Sequence, residues 1–197
     1  MMPWQKHVKD MFNFLLDPMP DKYEGKKKDY PVNTDFRNGL RFFKILEDPD
    51  LSEDTKTEFM MLCIFGDNLQ VYQEDIEGLF EFIPYYISGG KQDDDSVSGK
   101  KVFDFCADSG RLYSAFRQVY RINLLTEKMH WWEFLQLFHD IVTETRLTQV
   151  IDIRGKKVPK DATPEYKAQL RIAKSYYELD KENAAKNQAM AIANLMG

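Results

Sequence analysis

Few side chains in this sequence could act as nucleophiles or metal ligands, and their spacing is poor for catalysis. The histidines are His7, His130 and His139, and the last two are nine positions apart, on different sides of a helix instead of at the i, i+4 spacing of a helical metal pair. The two cysteines, Cys63 and Cys106, have no CxxC partner. The sequence contains no phosphate-binding glycine loop and no GxSxG nucleophile turn. The pattern therefore predicts neither a metal site nor a cofactor site.

One catalytic arrangement remains open, with Cys106 as the nucleophile. It would need His130 as the base and Asp108 beside it once the chain has folded. A small buried thiol on an aromatic-rich helix is the more common role for such a cysteine. The lysines at 26–28 and the aspartates at 93–95 are more typical of a solvated turn and loop than of a nucleic-acid or cation site. We therefore predict a non-enzymatic protein without catalytic residues, metal or cofactor.

The composition describes a mildly acidic, aromatic-rich chain. Its 197 residues include 27 Lys and Arg against 32 Asp and Glu, for a net charge of −5, and 14% are aromatic. This aromatic content argues against disorder, and the acidic balance argues against a general nucleic-acid binder. We find neither a secretory signal nor the ~20 apolar residues that cross a bilayer. We therefore expect a cytoplasmic protein that is not secreted and binds neither nucleic acid nor a membrane.

The charges are unevenly distributed along the chain. Residues 47–81 contain eleven acidic residues and one basic residue, whereas residues 155–197 contain eight basic and five acidic residues. This asymmetry would suit a head-to-tail contact between copies, and solvated helix faces produce the same pattern.

Capping residues and apolar stripes at helical spacing predict about six helices. Their expected starts are Asn33 or Thr34, Ser52, Glu74, Phe103 or Asp108, Thr126, and Thr163. In the third helix, Ile76, Leu79, Phe80 and Ile83 share one face, and Pro84 is expected to kink or end it. A small β-hairpin is predicted near residues 22–32, and the Gly- and Ser-rich residues 88–101 are predicted to form a mobile loop.

These elements predict a mainly α fold, with a compact helical domain at residues 1–155 that contains the loop at 88–101. A linker between two domains is the alternative interpretation of that loop. Residues 156–197 are predicted to form a loosely attached C-terminal helical extension, because 182–196 carry too little large apolar surface to hold the helix down.

The adjacent tryptophans Trp131 and Trp132 are the densest aromatic feature. Neighbouring positions on a helix point about 100° apart, so the two rings cannot face the same neighbour. Either one ring enters the core and the other lies at a boundary where it can contact a partner, or both lie in a broad core.

Several segments resemble a known family. Residues 29–37 read DYPVNTDFR, 102–105 read VFDF, 120–124 read YRINL and 130–134 read HWWEF. In this order, and with a polar loop between the two halves, they resemble a family of small proteins from long-tailed phages and prophages of Gram-positive bacteria, whose signature reads YPINTDFR. The resemblance extends over about residues 17–177.

The genes of that family typically lie just upstream of the tape-measure gene, a position similar to that of the tail assembly chaperones. The resemblance therefore implies a protein that binds the tape-measure protein, helps to recruit tail-tube subunits and is absent from the mature virion. A structural tail or connector component that stays in the virion is the alternative. We also expect assembly into a homo-oligomer, in the host cytoplasm during phage assembly.

The predicted partner-binding residues lie in the two motif segments and in the Tyr-rich end of the last helix. They are Phe36, Arg37, Trp131, Trp132, Tyr176 and Tyr177.

Overall fold

The computed structural model describes residues 12–67, 69–90 and 101–179. Over these ranges the protein has seven α-helices, one two-stranded sheet and a 3-10 turn at Gln73–Asp75. The elements are β1 (Lys22–Glu24), β2 (Asp29–Pro31), α1 (Phe36–Leu46), α2 (Glu53–Phe65), α3 (Ile76–Ile87), α4 (Ser109–Val119), α5 (Trp131–His139), α6 (Arg146–Gly155) and α7 (Pro164–Tyr176). The predicted mainly α fold is confirmed.

The described residues form two compact units. The first takes residues up to 90 together with 128–137, and the second takes 101–127 and 138–179. The domain boundary predicted at residue 155 stays a prediction. Most of the loop predicted at 88–101, the aspartates within it and the tail at 182–196 lie outside the described residues.

The predicted hairpin is present in the first unit. β1 and β2 are antiparallel, with Tyr23 opposite Tyr30, and the turn closes with a hydrogen bond from Gly25 N to Lys28 O at 3.1 Å. Tyr30 is only 1% exposed, so one face of this short sheet packs into the core of the unit. Because two strands alone are marginally stable, the packing of this face is what holds the hairpin.

Two of the predicted helix starts are confirmed at the level of the cap. The Ser52 hydroxyl accepts a hydrogen bond from Thr55 N at 3.3 Å and begins α2. The Thr163 hydroxyl accepts one from Tyr166 N at 3.2 Å and begins α7, with Pro164 at the first helical position. In both cases the side-chain oxygen satisfies a backbone N–H that the helix itself leaves unpaired.

The first helix begins later than the sequence predicts. Asp35, and neither Asn33 nor Thr34, is the capping residue, and its carboxylate accepts from Arg37 N at 2.9 Å. Thr34 stays outside the helix, and its carbonyl accepts a hydrogen bond from Trp131 N at 2.8 Å. A long-range backbone contact therefore decides where α1 starts.

The start predicted at Thr126 is wrong. Thr126 lies in a turn, where its N–H donates to Asn123 O at 3.0 Å, and α5 begins only at Trp131. His130 Nδ1 accepts a hydrogen bond from Trp132 N at 3.0 Å, so a histidine ring stabilises the first turn. Capping preferences favour Ser, Thr, Asp and Asn, so they do not predict a histidine in this role.

The second unit is built from α4, α6 and α7. Leu112, Ala115 and Phe116 form the buried face of α4, as their spacing predicts. The sequence did not predict α6. This helix follows Thr145, whose hydroxyl accepts a hydrogen bond from Thr148 N while the Thr148 hydroxyl accepts one from Thr145 N. This reciprocal cap fixes a helix whose apolar pattern alone is weak.

Candidate partner-binding surface

The two motif segments that carry the family resemblance meet in the first unit. Phe36 N donates to Met129 O at 3.0 Å, and Trp131 N donates to Thr34 O at 2.8 Å. Asp35 and His130 form the antiparallel bridge between these bonds. We call this contact between residues 33–37 and 130–134 the motif junction. It joins segments almost a hundred positions apart and positions α1 against α5.

Both tryptophans of the motif junction are buried, which is the second of the two arrangements that the sequence left open. Trp131 is 0% exposed and Trp132 2% exposed. The Trp131 indole N–H donates to Ile87 O at 3.1 Å, and the Trp132 indole N–H donates to Tyr86 O at 2.7 Å. These bonds satisfy the last carbonyls of α3, so both rings hold α3 in place and present no surface to a partner in this conformation.

Phe36 is also part of the core. Its ring stacks on Phe134 with centroids 4.8 Å apart and an interplanar angle of 13°. Gly39 allows α1 to approach this cluster, because a Cβ at that position would lie 2.3 Å from the Trp131 ring. Gly39, two positions after the motif segment, therefore permits a close contact between α1 and the Trp131 ring that a larger residue would prevent.

Arg37 lies at the edge of the motif junction. Its guanidinium forms an ion pair with Asp35 at 2.9 Å and lies 4.6 Å from the centroid of the Phe36 ring. The Arg37 side chain is 31% exposed. Of the four predicted partner-binding residues in the motif segments, it is the one that reaches solvent.

The His130 ring is fully engaged. Nε2 lies 3.1 Å from Pro20 O, so it carries the proton and donates, while Nδ1 accepts from Trp132 N. Burial lowers the pKa of His130 below its ordinary value, although the hydrogen bond to Pro20 opposes this effect. A neutral imidazole with both nitrogens bonded is a structural element of the first unit.

Tyr177 lies at the end of α7 in the second unit, within an arginine cluster. Arg146 donates to the Tyr177 hydroxyl and Arg154 donates to its carbonyl. The guanidinium of Arg111 lies 5.6 Å from the centroid of the ring. Tyr176 packs edge-on against Tyr177 and is 40% exposed. Tyr177 therefore anchors α7, and Tyr176 is the ring that faces solvent.

Asp108 explains why that arginine cluster forms. It is fully buried, and Arg154 binds both of its oxygens, at 2.6 and 3.1 Å, while Arg111 binds one at 2.9 Å. Planar, bidentate pairing of this kind is characteristic of arginine. Asp108 is thus committed to the fold of the second unit. Cys106, the candidate nucleophile, is exposed in the same unit.

An exposed apolar strip lies on α3 of the first unit. Ile76 is 41% exposed, Phe80 is 58% exposed and Ile83 is half-buried. Their i, i+4, i+7 spacing places them on one side of the helix. Glu77 and Glu81 lie beside them and form no ion pair within the described part of the chain. We call Ile76, Phe80 and Ile83 the α3 strip.

A side of α3 adjacent to the strip packs into the first unit. Leu79 is 1% exposed and Tyr86 2% exposed, and the Tyr23 ring packs on Phe82 with centroids 5.3 Å apart. A Cβ at Gly78 would lie 1.9 Å from the Tyr23 hydroxyl, so α3 lies very close to the hairpin. Of the four residues predicted on one apolar face, Ile76, Leu79, Phe80 and Ile83, only Leu79 is buried. Pro84 does not end the helix, which continues to Ile87.

A buried carboxylate fixes the start of α3. Asp75 is 0% exposed and accepts hydrogen bonds from Lys26 N at 2.5 Å, Lys27 N at 3.1 Å and the Tyr30 hydroxyl at 2.8 Å. Burial alone would raise the pKa of Asp75, but these bonds and one from Lys28 N outweigh it and lower the pKa below its ordinary value. The lysine turn at 26–28 therefore binds α3 through its backbone.

Two further findings concern the described residues alone. No group of three or more His, Cys, Asp or Glu side chains in residues 12–67, 69–90 and 101–179 lies close enough together to bind a metal ion. Over the same residues, every helix is too short or too polar to span a bilayer.

Comparison with known proteins identifies the family. Residues 15–179 match the family described as Bacteriophage Gp15 protein, and this range includes both motif segments and all seven described helices. The chain belongs to the Bacteriophage Gp15 protein family. No curated protein and no solved structure gives a significant match. Membership of the Gp15 family indicates a structural or assembly protein of a bacteriophage.

In this Gp15 protein the α3 strip is the surface that sequence reasoning missed. Spacing predicts that Leu79 and Phe80 share one apolar face of α3, but only Leu79 is buried. The useful signal was the acidic flank, because Glu77 and Glu81 border Ile76 and Phe80 on the helix and leave room for a core face only on the side of Leu79.

Proposed function

We propose that this Gp15 protein is a non-enzymatic tail assembly chaperone that binds the tape-measure protein through the α3 strip. It helps to recruit tail-tube subunits, acts in the host cytoplasm during assembly and is absent from the finished virion. The observation that carries the proposal is an exposed apolar strip with an acidic border, on a helix held rigidly by the core, in a member of a phage family.

The chemistry of the α3 strip suits a helical partner. An amphipathic helix presents apolar side chains at the same i, i+3/i+4, i+7 spacing that Ile76, Phe80 and Ile83 follow. Glu77 and Glu81 favour lysine or arginine beside that apolar stripe on the partner. In the long-tailed phages that encode the family, the tape-measure protein is long and helical. It therefore offers many such apolar stripes.

The small size of the α3 strip favours several copies on one partner. Three side chains cover much less than the about 800 Å² per partner of a stable protein interface, so each contact is weak. Repeated contacts along one long chain raise the overall affinity without any new interaction. The net charge of −5 helps to keep such an apolar surface soluble.

The non-enzymatic part of the proposal rests on the residues that a cysteine mechanism would use. Both nitrogens of His130 are bonded to the chain, and Asp108 is bound by two arginines. Neither residue is in a position typical of a general base or its orienting acid. Both instead stabilise the unit in which they lie.

The decisive experiment is co-expression with fragments of the tape-measure protein. The wild-type chain should keep the fragments soluble and co-purify with them. Phe80→Glu should weaken binding by about 2 kcal/mol or more, roughly 30-fold, since it places a charge at the centre of the strip. Val142→Glu is the matched control, because Val142 is 89% exposed in the second unit and the change adds the same charge.

Three outcomes would contradict all or part of the proposal. Fragments that stay insoluble beside the wild-type chain would exclude a chaperone for the tape-measure protein. Stoichiometric amounts of the chain in purified virions, measured by mass spectrometry, would favour a structural tail or connector component. Equal binding by the Phe80→Glu and Val142→Glu variants would keep the function but remove the α3 strip as the binding surface.

A further inference from the structure

A basic groove lies on α7 of the second unit. Its apolar floor is formed by Val158 and Leu170, and its cationic wall by Lys167, Arg171 and Lys174. The groove has a volume of about 200 Å³, enough for an aliphatic side chain. We call these five residues the α7 groove.

The positive charge of the α7 groove is not neutralised within the described part of the chain. Lys167 and Lys174 each donate to a backbone carbonyl, that of Lys160 at 3.4 Å and that of Arg154 at 3.2 Å. None of the groove cations lies within 4 Å of a carboxylate among the described residues. Three cations at the spacing i, i+4, i+7 share one helix face, so this wall attracts an acidic partner.

The complementary surface lies at the corner between α1 and α2 in the first unit. Leu46 is 43% exposed at the end of α1. Asp50 and Asp54 follow it, are exposed, and form no ion pair in the described residues, whereas the nearby Lys56 is paired with Glu53 at 3.0 Å. This acidic corner therefore presents an apolar side chain beside unpaired carboxylates.

We propose that the α7 groove of one copy binds the acidic corner of a second copy. Leu46 packs on Val158 and Leu170, and the carboxylates of Asp50 and Asp54 face the cationic wall. Charge complementarity favours a second copy as the occupant of the groove. Residues 47–81 in the first unit carry an acidic excess, and the groove lies in the basic part of the chain. The α3 strip takes no part in this contact.

The two surfaces differ, so the contact is heterologous. Each copy carries one groove and one corner, and repetition of the contact gives a ring if the rotation closes and an open filament if it does not. A row of copies would present one α3 strip per copy. The contact between copies does not depend on which partner binds the α3 strip, since it involves only the α7 groove and the acidic corner.

Sedimentation velocity of the full chain tests the contact at low ionic strength. The wild-type chain should associate as its concentration rises, and added salt should weaken association because the Debye length falls to about 10 Å at 0.1 M. Arg171→Glu lowers the charge of the α7 groove from +3 to +1, and Asp50→Lys cancels the −2 of Asp50 and Asp54, so each should weaken association by about tenfold or more. Lys128→Glu, an exposed charge reversal outside both surfaces, should have no effect.

Mixing the two variants gives the sharpest result. The Arg171→Glu chain keeps an intact corner and the Asp50→Lys chain an intact groove, so the mixture should recover the association that each variant has lost. Circular dichroism checks that both variants fold, and Arg171→Gln replaces Arg171→Glu if that variant does not fold. A wild-type chain that stays monomeric, association unaffected by either variant, or a mixture that associates no more than the separate variants would each overturn the proposal.

Discussion

The motif junction and the α3 strip are both apolar, yet they have opposite environments in the first unit. At the motif junction, Trp131, Trp132 and Phe36 are each 2% exposed or less. On the α3 strip, Ile76 and Phe80 are 41% and 58% exposed. The segments that resemble the family signature therefore hold the fold, and the apolar residues best placed to meet a partner lie outside those segments.

This difference follows from how each region is constrained. A buried indole must satisfy its N–H and fit its neighbours closely, so few substitutions are tolerated there. An exposed apolar side chain needs only the right size and spacing, so the pattern around Phe80 is ordinary. The resemblance in these segments is thus better evidence for a shared fold than for a shared contact.

The largest expected effect is at the motif junction. Trp131→Ala should destabilise the protein by about 3–5 kcal/mol, because it opens a cavity and leaves Ile87 O without its donor. Phe80→Ala removes another aromatic ring but should change stability by no more than about 0.5 kcal/mol. Urea unfolding measures both variants. Similar losses of stability would contradict the contrast between the two regions.

A second comparison uses two helical glycines. Gly39→Ala would place a methyl group 2.3 Å from the Trp131 ring and should cost about 1–3 kcal/mol through overpacking. Gly110→Ala on α4 meets nothing within 4 Å and should be neutral or stabilise by up to about 1 kcal/mol. Thermal unfolding of the pair would reveal the close approach of α1, and a stabilised Gly39→Ala variant would show that it does not exist.

The hairpin that positions α3 should give the protein an acid-dependent stability. The pKa of folded Asp75 lies below its ordinary value, so its carboxylate stabilises the protein above about pH 4, and this contribution is lost as the pH falls through the folded pKa. Asp75→Asn should remove that acid dependence and also destabilise the protein at neutral pH, because an amide N–H₂ replaces one of the two accepting oxygens and faces either the N–H groups of Lys26 and Lys27 or the hydroxyl of Tyr30.

Urea midpoints measured between about pH 5 and pH 3 would test this prediction. His130 affects stability in a different pH range, because burial lowers its pKa and its protonation below about pH 6.5 opposes folding. Parallel wild-type and Asp75→Asn curves in the acid range would mean that Asp75 does not anchor α3 as an anion.

Arg37 should contribute less to stability than the buried residues of the motif junction. Its ion pair with Asp35 is partly exposed, so Arg37→Ala should cost no more than about 1 kcal/mol. Asp35→Ala removes the helix cap as well and should cost about 0.5–2 kcal/mol. If Arg37→Ala proved the more damaging change in urea unfolding, Arg37 would have a role in the core that its exposure does not suggest.

Local signals predicted most of the fold. Ser52 and Thr163 cap their helices, the hairpin lies where Gly25 and its neighbours suggest, and the α4 face of Leu112 and Phe116 is buried. The errors arose where a distant segment decides the outcome. Asp35 replaces Thr34 as a cap because Trp131 pairs with the backbone of Thr34, and spacing along the chain contains no trace of that pairing.

The candidate surface was harder to predict than the fold. Helical periodicity shows that Leu79 and Phe80 lie near one another on α3, but a shift of 100° between neighbours separates core from solvent. Which side is buried depends on Asp75, a charged residue that sequence reasoning places outside the core. The buried carboxylate and its hairpin donors decide the rotation of the helix, and only the structure shows them.

Amide hydrogen exchange with and without a soluble tape-measure fragment tests the central claim most directly. If the α3 strip binds the partner while the motif junction supports the fold, protection should rise at residues 76–83 and stay unchanged at 33–37 and 130–134. Protection that rises at the motif segments while residues 76–83 stay unchanged would contradict the account, because the family motif would then be the binding surface itself.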